Sequence, residues 1–140
     1  MTNIIDNGPA PTVVKVEELT VSNDNYRTTL WTGANLQMTL MAIQPGQDIG
    51  LEVHQDTDQF LRIEQGEAKV SIGPDKDSMQ TWSATDGDGV FVPAGSWHNL
   101  ESVGSEALKL YSIYAPSHHP HGTVHTTRAE ADEAELEENN

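Results

Sequence analysis

The chain has 140 residues and a mass of 15.3 kDa, one domain's worth; with 36% hydrophobic residues and a mean hydropathy of −0.51, its core must be modest. Its 22 acidic against 7 basic residues give a formal net charge of −15, which argues against nucleic acid and anionic membrane surfaces as partners. There is no cysteine, which excludes disulfides, thiolate zinc sites and a cysteine nucleophile, and no run approaches the ~20 apolar residues of a membrane span.

The opening MTNIIDNGPAP lacks both the basic stretch and the apolar run of a signal peptide, so a cytoplasmic location is expected. Residues 1–12 are polar, with an Asn7-Gly8 turn and two prolines, and read as a flexible arm. Residues 13–126 read as one β-barrel domain. Short apolar runs follow one another, each cut by Gly or Pro: Val13–Val16, Leu36–Ile43, Phe60–Glu64, Ala68–Ile72, Val90–Val92 and Leu108–Tyr114. Period-two patterning at this spacing predicts an all-β sandwich or barrel. Residues 127–140 read as a short helix and an acidic tail. Thr126 to Glu135 is rich in Ala and Glu behind a threonine able to cap, and alanine on its apolar positions predicts thin burial.

Metal-ligand side chains fall on the strands of this pattern. Glu52 and His54 stand at i and i+2, on one face of a strand. Gln59 opens the next strand after the turn 55–58, and facing inward it carries Leu61 and Ile63 with it. His98 follows the rigid turn Pro93-Ala94-Gly95, which can swing it back across a barrel. A one-residue slip would present Asp58 in place of Gln59 and turn every neighbour to the other face. Gln59, as an amide, is a poor ligand and could instead hydrogen-bond a bound water. A second histidine group, His118, His119, His121 and His125, lies in a Pro/Gly loop where ligand directions are not fixed. It reads as a loop packed back over the barrel with one or two histidines hydrogen-bonded, with a second metal site as the alternative. Tyr111 and Tyr114 are candidates to move a proton, and parity alone leaves open which of them faces the cavity. Arg62 has the opposite parity from Gln59 and is expected outside, ion-paired or at an interface.

The spacing Gly46-x5-Glu52-x-His54-x4-Gln59-x6-Gly66 resembles the first motif of the cupins, and Gly87-x5-Pro93-x-Gly95-x2-His98 resembles the second. This likeness spans roughly residues 36–115 and implies an all-β cupin double-stranded β-helix, or jelly-roll, barrel with a short C-terminal helix. It also implies one divalent metal (Mn, Fe or Zn, with Ni and Co as alternatives) on Glu52, His54, Gln59 and His98, and a homodimer. The sequence departs from the general pattern in carrying Glu52 at the usual first histidine, Gln59 at the usual glutamate and Ser102 at the usual closing asparagine. Ligand charge is kept while oxygen content rises, which favours harder ions. Such a site implies Lewis-acid chemistry of isomerase or lyase type on a small polar metabolite. The alternatives are an Fe-dependent dioxygenase, a non-catalytic small-ligand binding module, and a structural or storage role.

Overall fold

The computed structural model describes residues 4–138. The ends of the expected arm and tail, residues 1–3 and 139–140, lie outside the described residues, as do the side chains beyond Glu135. In chain order the elements are α1 (Val16–Ser22), β1 (Arg27–Thr32), β2 (Gln37–Ile43), β3 (Glu52–Val53), β4 (Asp58–Gln65), β5 (Glu67–Gly73), β6 (Gln80–Thr85), β7 (Gly89–Val92), β8 (Trp97–Ser102), β9 (Leu108–Ala115), β10 (Val124–His125) and α2 (Arg128–Glu138). Two antiparallel sheets face each other, ordered β10-β1-β2-β9-β4-β7 and β3-β8-β5-β6. This is the jelly-roll barrel with a C-terminal helix that the resemblance implies.

Alternation places the core. Leu61 and Ile63 of β4, Val70 of β5, Leu100 of β8 and Leu108 and Leu110 of β9 are fully buried between the sheets. Arg62 and Phe91, at intervening positions, face outward. Arg62 pairs with Glu64, Nε to Oε1 at 2.7 Å, as its parity requires. Gly66 sits at φ +90° in the tight β4–β5 turn, a backbone conformation that glycine adopts without penalty.

The expected strand over Val13–Val16 is instead a loop running into helix α1. Three β-branched residues, Val16, Thr20 and Val21, make this segment look like a strand, yet Glu17 and Glu18 suit the positive end of a helix. Helix α1 packs on β2, β4 and β9. There the buried Lys109 reaches through its ammonium to the Asn23 carbonyl and, at 3.0 Å, to Asp24 Oδ1.

The arm has no regular secondary structure from residue 4 to 15, but it is tied down. Asp6 Oδ1 accepts from the backbone N–H of Gly8 (3.0 Å) and Thr32 (2.9 Å). Its Oδ2 accepts from Thr32 Oγ1 (2.5 Å) and the Gly122 N–H (3.0 Å). Trp31 Nε1 donates to the Ala10 carbonyl at 2.8 Å. The flexibility read from polar composition therefore gives way to a carboxylate knot joining the arm, β1 and the loop after β9. Burial works against ionisation of Asp6, but Thr32, Gly122, Gly8 and His121 outweigh it and hold the carboxyl below its ordinary value of 3.8. Asp6→Ala is expected to cost about 2 kcal/mol or more, because three backbone donors lose their acceptor. A depressed folded pKa gives stability that is complete above the unfolded value and lost as pH falls through the folded one. The stability gap between wild type and variant, measured by urea unfolding, is therefore expected to narrow below about pH 4. A gap unchanged down to about pH 2 would contradict this account of the knot.

Candidate metal centre

Pairing of β3 with β8 sets Glu52 directly opposite His98, and Val53 opposite Trp97. Residues opposed in an antiparallel pair carry their Cβ atoms about 5 Å apart, so the backbone ladder itself brings the carboxylate to the imidazole. His54 follows on the same face. The Pro93-Ala94-Gly95 turn clamps this arrangement: the Gly95 N–H donates to the His54 carbonyl at 2.9 Å and the Ala94 N–H to Asp58 Oδ1 at 2.9 Å. Gly95 meets this need with φ +85°. Asp58 is thus exposed and engaged outside, while Gln59 is buried, so the strand keeps the register that points Gln59 inward.

Glu52 Oε1 lies 3.3 Å from both His54 Nε2 and His98 Nε2, and the ligand atoms of all three residues fall within 4.8 Å of one another. Two donors about 2.1 Å from a shared ion, at angles between octahedral and tetrahedral, stand about 3.0–3.4 Å apart, so the spacing fits one ion. His98 Nδ1 is 3.2 Å from the Ser96 carbonyl, which can only accept. The Nδ1 proton is thereby committed, which leaves Nε2 to bind an ion or, when protonated, to donate to the carboxylate. Both Nε2 atoms are buried without a hydrogen-bond partner. Three such groups converging on one point suit a cation among them. Burial opposes ionisation of Glu52, yet the adjoining imidazoles of His54 and His98 prevail and hold its carboxyl well below the carboxylate range.

Gln59 donates Nε2 to Ser112 Oγ at 2.7 Å and leaves its buried Oε1 without a partner. That oxygen is the atom able to complete a ligand set or accept from a bound water. Tyr114 shares the inward face of β9 with Leu110 and Ser112, and is 1% exposed. Its ring stands edge-on to His54 with centroids 5.9 Å apart. Burial pushes its phenol pKa up, helped by the charge of Glu52 and opposed by Arg27, Ser112 and Thr39, so the hydroxyl keeps its proton at neutral pH. Tyr111, the other candidate, has the opposite parity and packs against Phe60 on the outer face, centroids 6.3 Å apart. It is removed from the site.

The histidine loop folds back over this centre, as its sequence suggests. Gln37, fully buried at the start of β2, holds it with its whole amide: Oε1 accepts from the N–H of His118 (3.0 Å) and His119 (2.8 Å), and Nε2 donates to the His119 carbonyl (2.7 Å) and Thr32 Oγ1 (3.0 Å). The His118 ring then sits 4.1 Å from that of His54 and stacks on Tyr114 at 5.5 Å. Burial lowers the His118 pKa to about 4 and that of His119 to about 2, with neighbouring positive charge adding to both. His121 Nε2 meets the Gly8 carbonyl at 2.7 Å and His125 Nδ1 meets Arg27 at 3.0 Å. Helix α2 closes the same side: Ala131 joins the core and Arg128 pairs with Asp48. Arg27, Glu52, His118, His119, His125, Ala131 and Glu135 together line a small cavity. Sequence reasoning missed Gln37, Arg27 and Arg128, because a lone amide or guanidinium carries no spacing signal.

Residues 39–114 match the model of the cupin domain, just over half of the chain. The chain belongs to the cupin family. This cupin is 51% identical over 131 residues to uncharacterized protein YrkC of Bacillus subtilis (strain 168), covering 93% of this chain and 70% of the relative. It is 39% identical over 120 residues to uncharacterized protein L612 of Acanthamoeba polyphaga mimivirus, covering 85% and 74%. The crystal structure of BH2720 from Bacillus halodurans superposes with a TM-score of 0.92 at 50% identity, over 93% of this chain and 99% of that one. Oxalate decarboxylase OxdC of Bacillus subtilis superposes at 0.57 and 23% identity, over 61% of this chain and 23% of that one, a likeness of fold alone. Among the described residues no helix is long and apolar enough to cross a membrane.

Gln37→Leu removes four hydrogen bonds while keeping the buried volume. It is expected to cost about 2–3 kcal/mol and to raise amide exchange at His118 and His119 without disturbing β4. Unchanged protection of these two amides would contradict the anchoring role.

Proposed function

We propose that this cupin is a metal-dependent enzyme in which Glu52, His54 and His98, completed by Gln59, hold one divalent ion beside a small polar metabolite. The observation that carries this reading is the Glu52 oxygen 3.3 Å from two imidazole Nε2 atoms that have no other partner. When bound, the ion would supply Lewis acidity, polarising a substrate oxygen. The mixed oxygen and nitrogen donor set suits Mn²⁺ or Fe²⁺, with Zn²⁺, Ni²⁺ and Co²⁺ accommodated by the imidazoles. Bacillus subtilis oxalate decarboxylase, which shares the fold, has Mn(II) centres, so Mn²⁺ is the first ion to test.

The chain's own groups divide the remaining work. The ladder between β3 and β8 fixes ligand directions before an ion arrives, and Ser96 fixes the tautomer of His98. Tyr114, protonated and edge-on to His54, would give a proton to a substrate oxygen and take it back, the step that isomerase and lyase chemistry needs. His118 and His119, kept neutral, and helix α2 shield the site from bulk water.

Tag-free protein purified without added metal is expected to carry about one equivalent of divalent ion per chain, lost in the His54→Ala/His98→Ala double variant, by metal mass spectrometry. Wild type that neither carries nor takes up an ion would sink the metalloenzyme reading. Tyr114→Phe is expected to keep the metal and lose turnover about 100-fold or more. Full turnover in that variant would remove Tyr114 from the chemistry.

A further inference from the structure

The Gln59 amide is tied at one end and open at the other. Its Nε2 donates to Ser112 Oγ at 2.7 Å, while its buried Oε1 has no partner. The two ends of an amide are not equivalent beside a cation. The oxygen offers lone pairs, whereas the NH₂ group aims hydrogens. Whether Gln59 serves as a ligand therefore depends on which end is turned toward Glu52, His54 and His98.

Ser112 stands in an unusual place for a hydroxyl. The inward face of β9 runs Leu108, Leu110, Ser112, Tyr114, all buried, so its polarity begins at Ser112, which is 0% exposed. A hydroxyl taken out of water costs free energy unless it is hydrogen-bonded, and the bond from Gln59 supplies that partner. The register of β4 on β9 sets Gln59 opposite Tyr114 and Leu61 opposite Ser112. The amide thus reaches Ser112 along the diagonal between the strands, a span open to a long side chain.

We infer that Ser112 is a positioning residue of the candidate metal centre: by accepting the amide N–H of Gln59 it turns the Gln59 oxygen toward the ion. This rests on the metal-binding reading above and names the group that makes an amide usable as a ligand there. Without the bond, the amide is free to flip end for end and to present N–H groups, which a cation repels. A glutamate at the same position would need no such help, because both of its oxygens can face an ion. The hydroxyl on β9 therefore matters because residue 59 of this chain is a glutamine.

The test compares Mn²⁺ affinity in wild type, Ser112→Ala, Gln59→Glu and the double variant Gln59→Glu/Ser112→Ala. Each is checked for fold by circular dichroism, and free Mn²⁺ is followed by electron paramagnetic resonance during titration. Ser112→Ala is expected to weaken Mn²⁺ binding about 10-fold, the scale on which the loss of a group that orients a metal ligand acts. In the Gln59→Glu background the same substitution is expected to change affinity no more than about 2-fold, since a carboxylate presents oxygen from either end. Unchanged affinity in Ser112→Ala overturns the positioning role and leaves the metal reading standing. An equal loss in both backgrounds shows the hydroxyl supporting the barrel in place of the amide, and overturns it too. So does a Ser112→Ala chain that fails to fold, or a folded Gln59→Glu chain that no longer takes up Mn²⁺. Wild type that takes up no Mn²⁺ ends the metal reading and the positioning role together.

Discussion

A carboxylate oxygen facing two imidazole lone pairs is unfavourable unless positive charge sits among them, and this backbone makes them face each other regardless. The pairing of Glu52 with His98 across β3 and β8, and the bond from the Gly95 N–H to the His54 carbonyl, are main-chain features independent of any ion. Glu52, His54 and His98 are therefore held facing one another before any ion arrives. A site preorganised in this way spends little on ordering its ligands when an ion binds. The surrounding barrel, with Leu61, Leu100 and Leu110 in its core, supports that geometry.

Around this centre the protein adds layers, each fastened by one buried polar side chain. Gln37 carries the histidine loop, Asp6 ties the arm to that loop and to β1, and Arg128 pins α2 to the 44–51 loop through Asp48. Burying such groups is tolerable because their hydrogen-bonding capacity is largely used. The exceptions are informative. Among the described residues nine buried side-chain atoms have no hydrogen-bond partner, and His54 Nε2, His98 Nε2, Gln59 Oε1 and Arg27 Nε are four of them. The first three are atoms of the proposed ligand set, and Arg27 lines the small cavity beside it.

Much of this was legible in the residues. Strands β2, β4, β5, β7 and β9 follow from alternation cut by Gly and Pro, and the juxtaposition of Glu52, His54 and His98 follows from i, i+2 spacing and a rigid turn. Strand β6 was not legible, because QTWSAT lies at a sheet edge and buries little beyond Ala84. Strand β1 was missed because its first four residues are all buried, so no alternation marks it. Helix α1 was hidden by β-branched residues, whose strand preference yields to packing on the outer sheet face. The arm misled for a different reason: polar composition says nothing about whether one carboxylate, Asp6, finds four donors. Parity could not choose between Tyr111 and Tyr114 until the register of β9 against β4 set Tyr114 opposite Gln59.

The most direct test of the central claim is a crystal grown with Mn²⁺ and measured for anomalous scattering. The account predicts a single strong peak per chain among Glu52 Oε1, His54 Nε2 and His98 Nε2, with Gln59 Oε1 or a water completing the shell. A peak only in the loop of His118, His119, His121 and His125, or no peak at all, would contradict it.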